Sequence, residues 1–160
     1  MTQNERQDEY VNDEKSIKGF VNDNRWLSNF WPCLIVYEDR EYKNSEAAYQ
    51  AAKTLDLEKR IPFEIMGAAA SKKAGQLVPL RSDWDEVKLQ VMYDIVKDKF
   101  CRNFELQVKL LETGDKYLEE TNWWGDRFYG VYKGEGENHL GKILMRVRSE
   151  LQEESNPCNV

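Results

Sequence analysis

The sequence predicts a helix-dominated α+β domain with a few short strands. Apolar residues return at helical spacing through 84–100 and again through 140–151, while β-type runs are short and confined to 17–21, 34–42 and 117–120. With 160 residues, 41% hydrophobic and 12% aromatic, the chain is long enough to bury one core and too short for two ordinary domains. The domain is expected over 16–151, between a mobile N-terminal tail at 1–15, rich in Gln, Asn, Asp and Glu, and a C-terminal tail at 152–160.

In chain order, Ile17, Phe20 and Val21 suit a short strand, and 34–37 with Glu41 and Tyr42 suit a hairpin turning at 38–40. Between them Trp26, Phe30 and Trp31 surround a polar Ser28-Asn29 pair, and a buried Asn29 amide would need hydrogen-bond partners. A helix is expected over 44–53, capped by Asn44 or Ser45 and rich in alanine. A second is expected over 57–66 with Pro62 inside or beginning it, and a third over 68–76, closed near Gly75. Asp83 or Ser82 caps the clearest helix, whose core stripe is Trp84, Val87, Val91, Met92, Ile95, Val96 and Phe100. Another follows at 103–113 with Phe104, Val108 and Leu111 inward and Gly114 as its stop. A strand is expected at 117–120, then a stretch at 121–130 with four aromatics and two glycines that let backbone approach a ligand closely. Asn138 caps a last helix with Leu140, Ile143, Leu144, Val147 and Leu151 on one stripe.

Charge narrows the partners. Twenty-three Lys and Arg against 29 Asp and Glu give a formal charge of −6, which argues against holding duplex DNA by general phosphate attraction. Cys33, Cys101 and Cys158, with a single histidine at His139, predict neither a disulfide framework nor a zinc site, and no cofactor is expected. No apolar run reaches the roughly 20 residues of a membrane span, so the expectation is a cytoplasmic protein in a reducing compartment, monomeric and without a membrane partner.

The helix at 44–53 carries the chemistry. Residues three, four and seven apart share a face, which aligns Glu46, Tyr49 or Gln50, and Lys53 among small alanines. Glu46 falls in the first turn, where free backbone amides favour a carboxylate, and Lys53 follows about 10 Å along the axis, a spacing that could flank a bound sugar. Asp126, among Trp123, Trp124 and Phe128, is expected to be desolvated and so a candidate proton donor. Arg25 and Arg81 are candidates for phosphate contacts, Trp84 for either core packing or base stacking, and Trp124 for a ligand contact beside Gly125.

Read together, Trp26-Leu27-Ser28-Asn29-Phe30, Ser45-Glu46 with Tyr49-Gln50 and Lys53, and Trp84 with Val87-Lys88 and Met92 form an ordered series. Lys99-Phe100, Trp124-Gly125-Asp126 and Asn138 with Leu140-Gly141, Leu144-Met145 and Arg148 complete it. This series resembles the YbiA-like family, also called NADAR, from about Ser16 to Leu151. The resemblance implies an N-glycosidase that hydrolyses a ribose–base bond, removing ADP-ribose from guanine bases or cleaving phosphorylated ribosylamino-pyrimidine intermediates of riboflavin synthesis. It places the family's Glu on Glu46, its Lys on Lys53 and the Asp of its Trp-Gly-Asp motif on Asp126, and matches other motif positions to Asn29, Trp84 and Asn138. The implied partner is an ADP-ribose-containing or ribose-phosphate small molecule, or single-stranded nucleic acid carrying ADP-ribosylated guanine.

Two departures qualify the match: Ala47 stands where many members have His, and Arg127, Phe128 and Tyr129 follow the Trp-Gly-Asp motif where many members are glycine-rich. Cleaving such a bond leaves positive charge on the ribose and needs a proton or equivalent contact on the departing base. Glu46 as charge stabiliser or water activator with Asp126 as donor is one route; Lys53 as a nucleophile passing through a Schiff base is the other. A module that binds ADP-ribose or a nucleotide without cleaving it is the competing function.

Overall fold

The computed structural model describes residue 2 and residues 9–159. In chain order its elements are β1 (Val11–Asn12), β2 (Ser16–Lys18), a 3-10 turn (Asn22–Leu27), β3 (Pro32–Tyr37), β4 (Arg40–Asn44), α1 (Ser45–Ala51) and α2 (Leu57–Arg60). A second 3-10 turn (Ile61–Ile65), α3 (Ala68–Ala74), α4 (Trp84–Arg102), α5 (Phe104–Glu112), β5 (Tyr117–Glu119), β6 (Thr121–Asn122), β7 (Val131–Tyr132) and α6 (His139–Glu153) follow. The fold is helix-rich α+β with short strands, as the sequence pattern requires. Its contacts gather into two compact units, one of Met1–Ser28 with Val108–Pro157 and the other of Asn29–Gln107 with Cys158–Val160. No described helix is long and apolar enough to cross a membrane.

The unit of Asn29–Gln107 is built on the β3–β4 hairpin, antiparallel with Tyr37 opposite Arg40 and Ile35 opposite Tyr42. Glu38 and Asp39 both take positive φ, 45° and 65°, the geometry a two-residue hairpin turn demands. Glu and Asp fill it without the usual Asn-Gly. Asn44 ends β4 and caps α1, its Oδ1 accepting from the Ala47 amide at 2.7 Å, while its Nδ2 donates to Met66 O at 3.1 Å. The helix expected over 57–66 is split, because Pro62 opens a 3-10 turn in place of another α turn.

α4 buries Trp84, Val91, Met92, Ile95, Val96 and Phe100, with Lys99 on the same stripe, while Val87 is only half-buried. Its N-cap position is Asp83, but the side chain does not cap: Arg81 takes both carboxylate oxygens, at 2.6 and 2.9 Å. In α5 the inward residues are Leu106 and Leu110, and Phe104 is exposed, so the expected inward set of Phe104, Val108 and Leu111 is out of phase. Cys101 and Cys158 form a disulfide across 57 residues of sequence, with Cα atoms 5.4 Å apart. That overturns the expectation of no disulfide, since only the fold brings two such distant cysteines to bonding range.

In the other unit β2 pairs with β1 antiparallel and with β5 parallel, Ile17 opposite Leu118. Val11 and Asn12 therefore belong to the sheet, and the expected tail at 1–15 is shorter; its residues 1 and 3–8 lie outside the described residues. β6 pairs parallel with β7. α6 buries Leu140, Ile143, Leu144 and Val147, and Arg148 turns inward as well, its Nη1 donating to Thr113 Oγ1 at 3.0 Å and Lys116 O at 2.8 Å. α6 runs to Glu153, two residues into the expected C-terminal tail.

Candidate active site

The first turn of α1 is fixed from both directions. The Glu46 amide donates to Asn29 O at 3.1 Å, so the Ser-Asn pair noted in the sequence satisfies one of the helix's open amides through backbone. The Asn29 side chain lies against Met92, Nδ2 to Sδ at 3.5 Å. Glu46 itself is 8% exposed, and Gln50, one turn later, donates its Nε2 to Glu46 Oε1 at 2.8 Å. A buried carboxylate held by a side-chain amide has a defined direction, which a solvated helix edge would not give it.

Tyr49 is buried and tilts at 55° against Trp84, ring centroids 5.0 Å apart. Trp84 thus packs against this face of α1. Lys53 lies just beyond the helix, half-buried, with its ammonium 5.9 Å from the Tyr49 ring centroid. Burial pushes the Lys53 pKa below its ordinary value, against the Glu46 carboxylate, which raises it. The charge of Glu46 is therefore felt at Lys53, and desolvation outweighs it.

The turn carrying Lys53 is held by two arginines. The Arg81 amide donates to Lys53 O at 2.8 Å, and its Nη1 lies 3.5 Å from Ala52 O. Arg60, whose side chain is 1% exposed, donates Nε to Thr54 O at 2.9 Å and Nη1 to Glu38 Oε2 at 3.0 Å. The Arg81 guanidinium beside the C-cap carbonyl of α1 suits the helix dipole. Arg81, read from the sequence as a phosphate candidate, has its fork closed on Asp83, whose carboxyl it holds below the usual range. Arg60 carries no functional signal in the sequence, where it falls only within the helix expected over 57–66. Phe30 is exposed, with the Lys72 ammonium 5.9 Å from its ring centroid.

The remaining candidates belong to the other unit. Arg25 and Trp124 are exposed there. Asp126 is half-buried, and its Oδ1 accepts from the amides of Phe128 and Tyr129, both at 2.9 Å. Trp123 and Trp124 beside it are 44% and 47% exposed. Asn122 organises the loop: its Nδ2 donates to Glu120 O, Asp126 O and Val131 O, and its Oδ1 accepts from the amides of Gly125 and Asp126.

Gly125 is required by its φ of 91°, whereas Gly130 is required by packing, since a Cβ there would lie 2.6 Å from Asn122 Nδ2. What approaches Gly130 is the chain's own amide, in place of the expected ligand. Asn138 occupies the N-cap position of α6 in the left-handed region, φ 52°, yet makes no cap bond. Its side chain reaches β5, accepting from the Glu120 amide at 3.0 Å and donating to Leu118 O at 3.0 Å. Glu119 and Glu120, both buried, were read from the sequence only as strand residues.

Comparison with known proteins agrees with this architecture. Over 133 residues the chain is 36% identical to an N-glycosidase of Nostoc punctiforme, an alignment covering 79% of this chain and 85% of that one. It is 35% identical over 134 residues to the N-glycosidase YbiA of Escherichia coli K12, covering 78% and 80% respectively. A riboflavin biosynthesis protein of Vibrio vulnificus is 38% identical over 144 residues, 84% of this chain but 37% of that longer protein. The NMR structure of E. coli YbiA superposes with a TM-score of 0.78 at 29% identity, covering 92% of this chain and 90% of the other. The sequence profile of the NADAR domain matches residues 13–152, and the chain is a member of the NADAR domain family.

Proposed function

We propose that this protein is an N-glycosidase whose chemistry is carried by Glu46 and Lys53 on the exit side of the β3–β4 hairpin. The observation that carries the reading is the buried Glu46 carboxylate, oriented by Gln50 and followed by a desolvated Lys53. As the ribose–nitrogen bond stretches, positive charge builds on the anomeric carbon and ring oxygen, and a fixed carboxylate stabilises it without reorganising. Glu46 can also take a proton from the attacking water, whose oxygen bonds to the anomeric carbon as the base departs with the bonding electrons. A lysine with lowered pKa is more often the neutral amine, and this supports the alternative first step, in which Nζ displaces the base at the anomeric carbon. The ribose ring then opens as its oxygen leaves that carbon and takes the proton from the nitrogen, and water hydrolyses the resulting Schiff base.

Asp126 is assigned to the loop, because its Oδ1 already serves two backbone amides. The substrate class is a phosphorylated ribosylamino-pyrimidine or ADP-ribosylated guanine. The first is supported by relatives of matching length that are N-glycosidases and by a longer relative in riboflavin biosynthesis.

The test is base release from each substrate, followed by chromatography and mass spectrometry, for wild type, Glu46→Gln and Lys53→Ala. Release from one substrate, lost in the folded variants, is the expected result and names the class. Binding of ADP-ribose with no release from either substrate would overturn the proposal in favour of a binding module.

A further inference from the structure

Gly75 closes α3 with φ −62° and ψ −20°, ordinary right-handed helical angles. Every L-residue adopts these angles. Neither a left-handed turn nor strain explains the glycine. What does is the neighbouring side chain. A methyl group at position 75 would lie 2.5 Å from the Gln50 amide carbon and 2.9 Å from Gln50 Cβ, and it would overlap Gln50 Oε1. The Gln50 side chain, Oε1 foremost, lies against the end of α3 in the space a Cβ would fill.

The same amide has one partner among the described residues. Nε2 donates to Glu46 Oε1 at 2.8 Å, while Oε1 is buried and accepts no hydrogen bond from them. A buried acceptor without a donor is costly, and a free glutamine would rotate to satisfy it. Gln50 does not, because its amide is pressed edgewise onto Gly75 with the nitrogen turned to the carboxylate.

We propose that Gly75 is a positioning residue for catalysis, admitting the Gln50 amide against the end of α3 so that it orients the Glu46 carboxylate. Gln50 then acts through Glu46 and makes no contribution to substrate affinity. The proposal rests on the reading of Glu46 as the catalytic carboxylate, and it also makes a claim about the resting protein that needs no turnover.

Two readouts test it. In 15N-labelled protein the Gln50 side-chain amide, assigned by its loss in Gln50→Ala, should show one downfield, exchange-protected Nε2 proton. Gly75→Ala should return that signal to the position of a solvated amide while the rest of the spectrum stays folded. An unchanged Gln50 signal in Gly75→Ala would overturn the proposal whether or not any substrate is turned over. In the base-release assay, Gly75→Ala should lower kcat about tenfold or more with KM within about twofold, the scale of one hydrogen bond to a charged group.

Gly75→Ala should lower kcat no further in the Gln50→Ala background, where the amide it would displace is gone and only the Cβ contact at 2.9 Å remains. Equal loss in both backgrounds, or a rise in KM with kcat kept, would contradict the proposal. Wild-type kcat in Glu46→Gln would sink the catalytic reading of Glu46, leaving the amide signal to judge the Gly75 contact separately.

Discussion

Glu46 and Asp126 are two carboxylates in polar, aromatic-rich stretches, and the protein uses them in opposite ways. Asp126 Oδ1 accepts from the Phe128 and Tyr129 amides, inside a loop that Asn122 ties at Gly125, Asp126 and Val131. Glu46 is buried more deeply and takes one side-chain hydrogen bond from Gln50, with a desolvated lysine seven residues on. A carboxylate bound by backbone amides fixes a chain path; one oriented by a side-chain amide on a helix is held in a defined direction for charge stabilisation.

The comparison breaks most visibly in kinetics. Glu46→Gln keeps the shape of the side chain and its contact with Gln50 while removing the charge, so kcat for base release should fall about 100- to 10,000-fold. Circular dichroism should remain that of the wild type. A variant that lost its fold as well would place Glu46 on the structural side.

Asn122→Ala should do the reverse. It strips five hydrogen bonds from buried or half-buried backbone, and chemical denaturation should show a loss of about 3 kcal/mol, with activity falling only as the folded fraction falls. A kcat loss at full occupancy of the folded state would move this loop into the chemistry.

Lys53 sharpens the comparison through pH. Its folded-state pKa is lowered, so folding disfavours the ammonium: the penalty is full below the folded pKa and disappears as pH rises towards the ordinary lysine value. Reductive methylation of Lys53 should therefore have its midpoint below that of exposed lysines, and lower still in Glu46→Gln, where the opposing carboxylate charge is gone. Lys53→Met should raise Tm slightly at neutral pH, with the gain shrinking in alkali. A normal midpoint that ignores Glu46 would separate the two groups.

Much of this was legible in the residues. The alanine-rich run after Asn44, the Glu46 to Lys53 spacing and the α4 stripe follow from local periodicity, which a sequence displays directly. Capping was less legible. Asp83 and Asn138 stand at cap positions, yet Arg81 captures one side chain and β5 the other, and such competition depends on partners the local pattern does not contain. The two buried arginines follow the same rule, as does the Cys101 to Cys158 bond: each is set by long-range packing. Gly75 looked like a helix stop and is one, but the reason lies on α1, 25 residues away in sequence.

The most direct test of the division between the two carboxylates is Asp126→Asn, assayed for base release beside Glu46→Gln at matched folded fraction. Asparagine keeps an Oδ1 acceptor for the Phe128 and Tyr129 amides and removes the charge. The account predicts kcat within about threefold of wild type for Asp126→Asn, against a loss of at least about 100-fold for Glu46→Gln. Comparable losses in both would contradict it and make the two carboxylates a catalytic pair.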